Sequence, residues 1–430
     1  MAPFQRYVRS RKRSAGRRLL SIGWVIVSAA VVTALASYVS YDTFHFFVRE
    51  DAIPMGLMCL LSYGFMSLVL RRLIRFPTVE AVGLVLLVVV VFAGVVYLAV
   101  SVTRVYYSNT YIFTFFGLAF LLLWMWLHLR LSAPNLRLHI VPGGVTHEIL
   151  QIPGLYNQVD VVILDRPDPE ILADHTHGII VDMAQRRENE WVRFLSHCTL
   201  HGVEIYPAEE VFESLTGRVS LVHLSEGVIE AFRLSPVYHV IKRIEGILFV
   251  VITLPVSLPL MVGTALAIRI DSPGPILFSQ SRVGEGGRIF RMLKFRSMTH
   301  GADAEGARFA DARDKRVTRV GAFIRKFRLD ELPQFWNILV GDMSLIGPRP
   351  EQVGFVEQFE RDIPYYAYRH LVKPGITGWA QINHGYAADH EETRKKLEHD
   401  LYYVKHFSFW LDVLIGFKTV GTVLTGFGAR

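Results

Sequence analysis

The chain has 430 residues with 46 Lys and Arg against 39 Asp and Glu, a net charge of +7, and 51% of it is hydrophobic. That length suits two or three domains, and so high an apolar share argues against an ordinary soluble protein. Two cysteines, Cys59 and Cys198, supply neither a disulfide framework nor a metal pair and read as buried thiols. The positive charge raises nucleic acid as a partner, but much of it flanks apolar segments and no aromatic-interleaved basic strand supports that partner.

Residues 1–19 form a basic tail, "MAPFQRYVRSRKRSAGRR" and the residue after it. Residues 20–130 hold four apolar runs, Leu20 to Ser40, Ile53 to Leu70, Ala81 to Val100 and Tyr111 to Leu127. Each approaches the ~20 residues that cross a bilayer as a helix, so a four-helix membrane bundle is expected. Lys and Arg collect on the cytoplasmic side, and the basic tail and the connection "RRLIRFPT" share that signal, whereas "YDTFHFFVREDA" and "SVTRVYYSN" are poor in cations and rich in aromatics. Both chain ends are therefore expected in the cytoplasm. No small-residue cleavage site follows the first run, and three further spans come after it, which disfavours a signal peptide.

Beyond the fourth run the pattern becomes short apolar strands alternating with helical stretches, as in a βαβ layer. "RLHIVPGG", "VDVVILD" and "GIIVDM" read as strands, "NEWVRFLSHCTLHG" as a helix closed by glycine, and "VEIYPAEEVFESLTGRV" as a strand and helix. Residues 134–235 thus read as an α/β, Rossmann-like cytoplasmic domain. "VPGGVTHE" holds only a fragment of the glycine fingerprint that admits a pyrophosphate, which favours a regulatory or homodimer-forming module over a cofactor site.

Residues 240–270 are another apolar segment, interrupted by Pro255 and Pro259. Proline removes a helix hydrogen bond and bends the axis, so the segment is either a fifth crossing or a re-entrant membrane helix broken at Pro259. Lys242 and Arg243 before it and Arg269, Arg282, Arg288 and Arg291 after it give both ends a cytoplasmic signature, which fits the re-entrant form. From Asp271 the chain turns polar, and "IPYYAYRHLVKPGITGWAQIN" mixes aromatics, cations and turns in the way of a surface lying on membrane lipid.

The chemistry concentrates in "FRLDELPQFWNILVGDMSLIGPRP". Adjacent side chains on a helix point about 100° apart, so burying both Asp330 and Glu331 needs facing cations. Arg325, Lys326, Arg328 and Arg349 are close in sequence, while Lys294 and Arg296 of "LKFRSM" must arrive by folding. Carboxylates and cations without His or Cys at ligand spacing suit Mg²⁺ and a phosphate better than zinc, with Asp330 and Glu331 as the metal ligands. The prolines flanking Arg349 restrict its backbone, which favours a built site over a surface salt-bridge network. Asp342 in "GDMS" reads as a structural cap.

"DSPGPILFSQSRVGEGGRIFRMLKFRSM", "RLDELPQFWNILVGDMSLIGPRP", "KPGITGWAQIN" and "DLYYVKHFSFWLDVL" occur in this order and resemble successive signatures of the bacterial sugar transferase family, the monotopic polyprenyl-phosphate phosphoglycosyl transferases. The four spans and the Rossmann-like domain resemble its long-form members. The resemblance implies a mainly α catalytic domain over residues 271–430, a re-entrant membrane helix and a place in the bacterial inner membrane. It implies that Asp330 is the catalytic nucleophile toward a UDP-sugar donor, that UMP leaves, and that undecaprenyl phosphate then takes the sugar phosphate from Asp330. It casts Glu331 as the second acid, places Lys294, Arg296, Arg328 and Arg349 on the phosphates with Mg²⁺ as cofactor, and suggests glucose or galactose as the sugar.

One departure concerns the helix break, where the family shows Ser-Pro and this chain has Leu258 before Pro259, leaving Ser257 or another hydroxyl to recapture the freed carbonyl. Two rival readings stand beside this one. A processive membrane glycosyltransferase would need a Q-x-x-R-W element, which is missing; a noncatalytic scaffold or nucleotide sensor leaves the polar motifs after residue 271 without a role.

Overall fold

The computed structural model describes residues 15–42, 50–77, 81–131, 136–153, 155, 159–168, 177–185, 188–221, 236–299, 316–384 and 390–425. The chain divides into two compact units, Met1–Gly217 and Arg218–Arg430. Residues 1–14 of the basic tail, most of "YDTFHFF" and the linker 222–235 lie outside the described residues.

The first unit opens with four long helices, α1 (Ala15–Tyr41), α2 (Ile53–Leu73), α3 (Ala81–Thr103) and α4 (Asn109–Leu131). Each apolar run forms the expected helix and extends a few residues past it. On α2 the buried side chains Met55, Cys59, Tyr63, Met66, Leu70 and Leu73 recur every three or four positions, so one stripe faces its neighbours, while Leu57, Leu61, Phe65 and Leu68 stay exposed. Hydroxyls inside the spans bond back to the preceding turn, as Thr33 does to the Ala29 carbonyl at 2.8 Å, and the Tyr63 hydroxyl donates across helices to Ser28 at 2.9 Å. Apolar side chains exposed on the outside of helices that pair their own backbone groups are what lipid requires. Among the described residues five helices, these four and α8 below, are long and apolar enough to cross a membrane.

The same unit then forms a four-stranded parallel sheet from β1 (Leu136–Ile140), β2 (Val159–Ile163), β3 (Gly178–Val181) and β4 (Ile205–Pro207), in the order β2-β1-β3-β4. Alternation along the strands sends Leu138, Ile140 and Ile180 to one face, where they meet α5 (Val145–Leu150) and α7 (Ala208–Thr216) through Ile149, Val211 and Phe212. Ile179 and Val181 point to the other face, against Phe194 and Cys198 of α6 (Asn189–Leu200). Cys59 and Cys198 are both free and buried.

The second unit opens with α8 (Pro236–Asp271), a single helical segment that contains Pro255 and Pro259 and starts before and ends after the expected stretch. A hairpin of β5 (Leu277–Val283) and β6 (Ile289–Phe295) follows in register, from Leu277 opposite Phe295 to Val283 opposite Ile289. Next come α9 (Arg319–Lys326), a 3-10 turn (Leu329–Glu331), α10 (Gln334–Val340) and β7 (Ser344–Ile346), which pairs in parallel with β8 (Gly375–Thr377). α11 (Val353–Asp362) and the 3-10 turn Tyr366–Leu371 lie between β7 and β8, and α12 (Trp379–Asn383), α13 (His390–Lys405) and α14 (Phe409–Thr425) complete the mainly helical unit.

Two small cores hold this unit on α8. Val250 packs with Met292, Ile338 and Met343, and Ile268 with Phe295 and Ile324. A buried polar cluster adds to them: Lys242 Nζ donates to Asp412 Oδ2 at 2.7 Å, to the Tyr403 hydroxyl at 2.5 Å and to the Ile346 carbonyl at 2.8 Å. Burying a lysine this deeply calls for a facing carboxylate and an acceptor for each donor, and the cluster supplies both.

Candidate active site

Two residues after α9 comes a left-handed residue, Arg328, whose φ of 58° reverses the chain into the turn that carries Asp330 and Glu331. A non-glycine residue in this region is strained and persists where its surroundings hold it. Here Leu329 and Leu332 sink into the Ile268–Phe295–Ile324 core, and Asp330 and Glu331 are left 8% and 7% exposed. Pro333 then fits the start of α10 because its missing N–H falls where a helix has no acceptor for it.

β6 brings Lys294 to the turn. Asn337 of α10 braces that strand, since its Nδ2 donates to the Arg291 carbonyl at 2.8 Å and its Oδ1 accepts the Leu293 N–H at 3.0 Å. Glu331 Oε1 consequently faces Lys294 Nζ at 3.4 Å, Arg349 Nη1 and Nη2 at 3.4 Å each, and Arg328 Nη1 at 3.5 Å. Charge-assisted bonds at their best run about 2.7–2.9 Å, so three cations share one oxygen loosely. Asp330 forms no ion pair among the described residues.

The two carboxyls are therefore driven apart. Burial pushes Asp330 above its ordinary value and the adjacent Glu331 adds to this, against Lys294, Arg349 and Arg325. Burial acts on Glu331 in the same sense, but Lys294, Arg349 and Arg328 together outweigh it and hold the group at about 2. Burial lowers Lys294, with Glu331 opposing.

Arg349 is held by its backbone. The Gly347 N–H donates to the Thr377 carbonyl and the Gly375 N–H to the Pro348 carbonyl, both at 2.9 Å. Gly347, Gly375 and Gly378 approach so closely that a Cβ on any of them would collide with main-chain atoms of the crossing segment. Arg369 Nη2 donates to the Arg349 carbonyl at 2.9 Å, while its Nε and Nη2 pair with Asp400 Oδ2 at 3.1 and 2.8 Å and its Nη1 with the Tyr366 hydroxyl at 2.8 Å. Behind Arg349, Glu351 takes Lys396 at 2.5 Å; burial would raise it, but Lys396, Arg369 and Arg282 hold it at about 2.

The model of the family described as "Bacterial sugar transferase" matches residues 237–426. A relative from Aeromonas hydrophila, named UDP-N-acetylgalactosamine-undecaprenyl-phosphate N-acetylgalactosaminephosphotransferase, is 45% identical over 384 residues, 89% of each chain. The chain belongs to the bacterial sugar transferase family. The UDP-glucose:undecaprenyl-phosphate glucose-1-phosphate transferase of Escherichia coli K12 is 44% identical over 189 residues, which are 44% of this sugar transferase and 41% of that protein. An exopolysaccharide production protein of Rhizobium leguminosarum is 40% identical over 192 residues, 43% of this chain and 96% of its own.

Of the expected site residues, the transferase brings Asp330, Glu331, Lys294, Arg328 and Arg349 together. Arg296 stands apart: its guanidinium donates to the Pro273 carbonyl at 3.1 Å and to the Ser272 carbonyl and hydroxyl at 2.8 Å each. It ties the chain just after α8 to the end of β6 rather than joining the carboxylates. Ser257 is buried beside the prolines, yet its hydroxyl has no hydrogen-bond partner, so it does not recapture a freed carbonyl. Arg369, Asp400, Glu351 and Lys396 were not anticipated. Their signal was a charge on an apolar stripe, as Asp400 lies among the buried Leu397, Leu401 and Val404 of α13.

The glycine turn of the sheet domain is filled from within. Gly143 and Gly144 have φ of 130° and 59°, and Asp182 accepts the Val145 N–H at 3.0 Å and the Ala184 N–H at 2.9 Å. A carboxylate already in that turn repels a phosphate, which weighs against a nucleotide sensor.

Among the described residues no three His, Cys, Asp or Glu side chains cluster as a metal site. The donor set nevertheless fits Mg²⁺, which takes one or two carboxylates and completes its shell with water and substrate phosphate. Asp330 is unpaired, and the cations all address Oε1 of Glu331, leaving Oε2.

Proposed function

We propose that this transferase moves a sugar 1-phosphate from a UDP-sugar to undecaprenyl phosphate through a covalent intermediate on Asp330. The observation that carries the reading is the asymmetry of the acid pair. Glu331 gathers three cations, whereas the buried Asp330 beside it is free to react. A carboxylate oxygen of Asp330 attacks the sugar-bearing phosphorus, the phosphoanhydride bond breaks, and UMP departs with the bridging oxygen. An oxygen of the polyprenyl phosphate then attacks the same phosphorus, the Asp330–phosphorus bond breaks, and polyprenyl diphosphate sugar is released with the carboxylate restored.

Lys294, Arg328 and Arg349 address the phosphate oxygens and offset the charge that builds as each bond breaks. Asp330 and Glu331 would hold Mg²⁺, which would supply Lewis-acid polarisation of the phosphoryl oxygens. The donor proposed is UDP-N-acetylgalactosamine, after the Aeromonas relative that matches 89% of the chain, in place of the glucose or galactose suggested by the sequence.

A re-entrant α8 with both ends in the cytoplasm is part of this proposal. Near one end Lys242 bonds to Ile346 and Asp412; at the other, Asp271 accepts the Val320 N–H and Arg296 holds Ser272. Both ends are thus tied to one polar unit, while the apolar side chains between, Val251, Ile252, Leu254, Val256, Leu258, Leu260 and Val262, are exposed. A membrane crossing would separate the ends by ~30 Å of hydrocarbon. The bacterial inner membrane is the proposed location. The parallel order β2-β1-β3-β4 supports a Rossmann-like reading of the sheet domain, proposed here as the homodimer contact, which a mass measurement in native-like lipid tests.

The deciding experiment incubates purified protein with Mg²⁺ and UDP-N-acetylgalactosamine, or with UDP-glucose, without acceptor. Peptide mass spectrometry should find a sugar-phosphate adduct on Asp330 that is absent from Asp330→Asn. Turnover that requires acceptor and leaves no adduct would sink the two-step mechanism.

A further inference from the structure

A recess of about 60 Å³ opens where α8 passes α10, β7 and the residues just before β8. A recess of this size has room for ordered water or for a small polar group such as a phosphate. Lys242, Arg243 and Lys373 line it with His239, and among the described residues no carboxylate does. His239 instead meets Glu285 at 3.7 Å. Of the Lys and Arg residues here, Lys242 alone has a carboxylate partner among the described residues, Asp412. Arg243 spends Nη2 on the Leu339 carbonyl at 2.5 Å and Nη1 on the Ile338 carbonyl, which are neutral acceptors, and Lys373 makes no hydrogen bond or ion pair among the described residues. Two positive charges therefore lack counter-charge in a half-enclosed hollow, an arrangement that a bound anion relieves.

The rest of the wall is mostly apolar, with Gly246, Ile338, Met343 and Phe407 beside Ser344. Immediately beyond Gly246, α8 exposes Leu248, Phe249 and Ile252, so the hollow adjoins the bare apolar length of the helix.

The geometry points to a second phosphate site, separate from Asp330 and Glu331, formed by Arg243 and Lys373 with the apolar wall at its back. Its ligand is a phosphate group. The source fitted best is the phosphodiester of an anionic membrane lipid, whose chains would run along Leu248 and Ile252. That source rests on the membrane reading of α8 given above; the anion site itself does not.

The test uses the full chain, in nanodiscs of phosphatidylcholine with and without phosphatidylglycerol, as wild type, Lys373→Gln and the charge-keeping Lys373→Arg. Native mass spectrometry after transfer to detergent counts retained phosphatidylglycerol, and thermal unfolding in detergent is followed against inorganic phosphate, with chloride at equal ionic strength as reference. Wild type and Lys373→Arg should retain phosphatidylglycerol over phosphatidylcholine and be stabilised by phosphate. Lys373→Gln should bind each roughly tenfold more weakly, the share of one charge-assisted hydrogen bond. Stabilisation by phosphate without retained lipid supports the site and makes soluble phosphate its source. If phosphate moves wild-type unfolding no more than chloride and neither lipid is preferred, the proposal is overturned, even where Lys373→Gln fails to fold. UMP release by wild type in the same discs reports separately on the transferase reading.

Discussion

Replacing Glu331 by Gln keeps the side chain's shape and removes the charge that three cations address. In the folded chain this carboxyl is held at about 2 against an ordinary 4.5. At ~1.4 kcal/mol per pH unit, that difference amounts to about 3 kcal/mol of stabilisation at neutral pH. Because the folded value is the lower one, the contribution is complete above 4.5 and is lost as pH falls through about 2. By linkage it should shrink to under about half near pH 3. Urea unfolding of wild type and Glu331→Gln in detergent, with hydrogen exchange on peptides spanning Asp330 to localise the loss, should give a gap of about 3 kcal/mol at pH 7 that narrows on acidification. The same variant carries a second, independent expectation. Glu331 is among the causes that raise Asp330, so removing its charge should let Asp330 ionise at lower pH. The acid limb of adduct formation should then move to more acidic pH, even though the rate at neutral pH falls with the loss of the cations' anchor. Equal stability at pH 7, or an acid limb displaced upward, would refute this account of the acid pair.

Arg369→Met strands Asp400 in a site where both side chains are 2% exposed, and should cost about 3–5 kcal/mol. Arg369→Met with Asp400→Leu should recover most of that in urea unfolding, yet kcat/KM should stay low because the Arg349 carbonyl still lacks its donor. Gly347→Ala drives a Cβ into the Lys373 carbonyl and should destabilise by about 1–3 kcal/mol, with UMP release falling as Arg349 shifts. Asp182→Ala removes the acceptor of two backbone N–H groups in the sheet domain, a loss of about 1–3 kcal/mol visible as faster exchange near Val145, while adduct formation at Asp330 keeps its wild-type rate.

The membrane helices and strands were legible because each declares itself over a few neighbouring residues. An apolar run of span length forms a helix in lipid, and β-branched runs between turns form a buried parallel sheet. The helices exceed their runs, as α4 reaches Leu131 rather than Leu127, because hydrogen bonding continues into the polar flanks. The acid pair and Arg349 were legible for a different reason, since buried like charges demand cations and few were near. The Arg369–Asp400 pair was not, because its partners lie 31 positions apart and only the fold joins them. Arg296 misled because it shares a strand alternation with Lys294, yet the strand ends at Phe295 and the next side chain is captured by the chain leaving α8.

The interlock of Gly347 with Gly375 and Gly378 bears on how this enzyme can be recombined with its relatives. The two segments cross with no room for a side chain on either, so each is a mould for the other's backbone, and a change in the path of one is felt at Arg349 in the other. A chimera that takes "IGPRP" from one parent and "KPGITG" from another joins halves that never fitted each other, however similar they look when aligned. Exchange points for swapping donor specificity belong before Ser344 or after Gly378, so that the crossing is inherited whole.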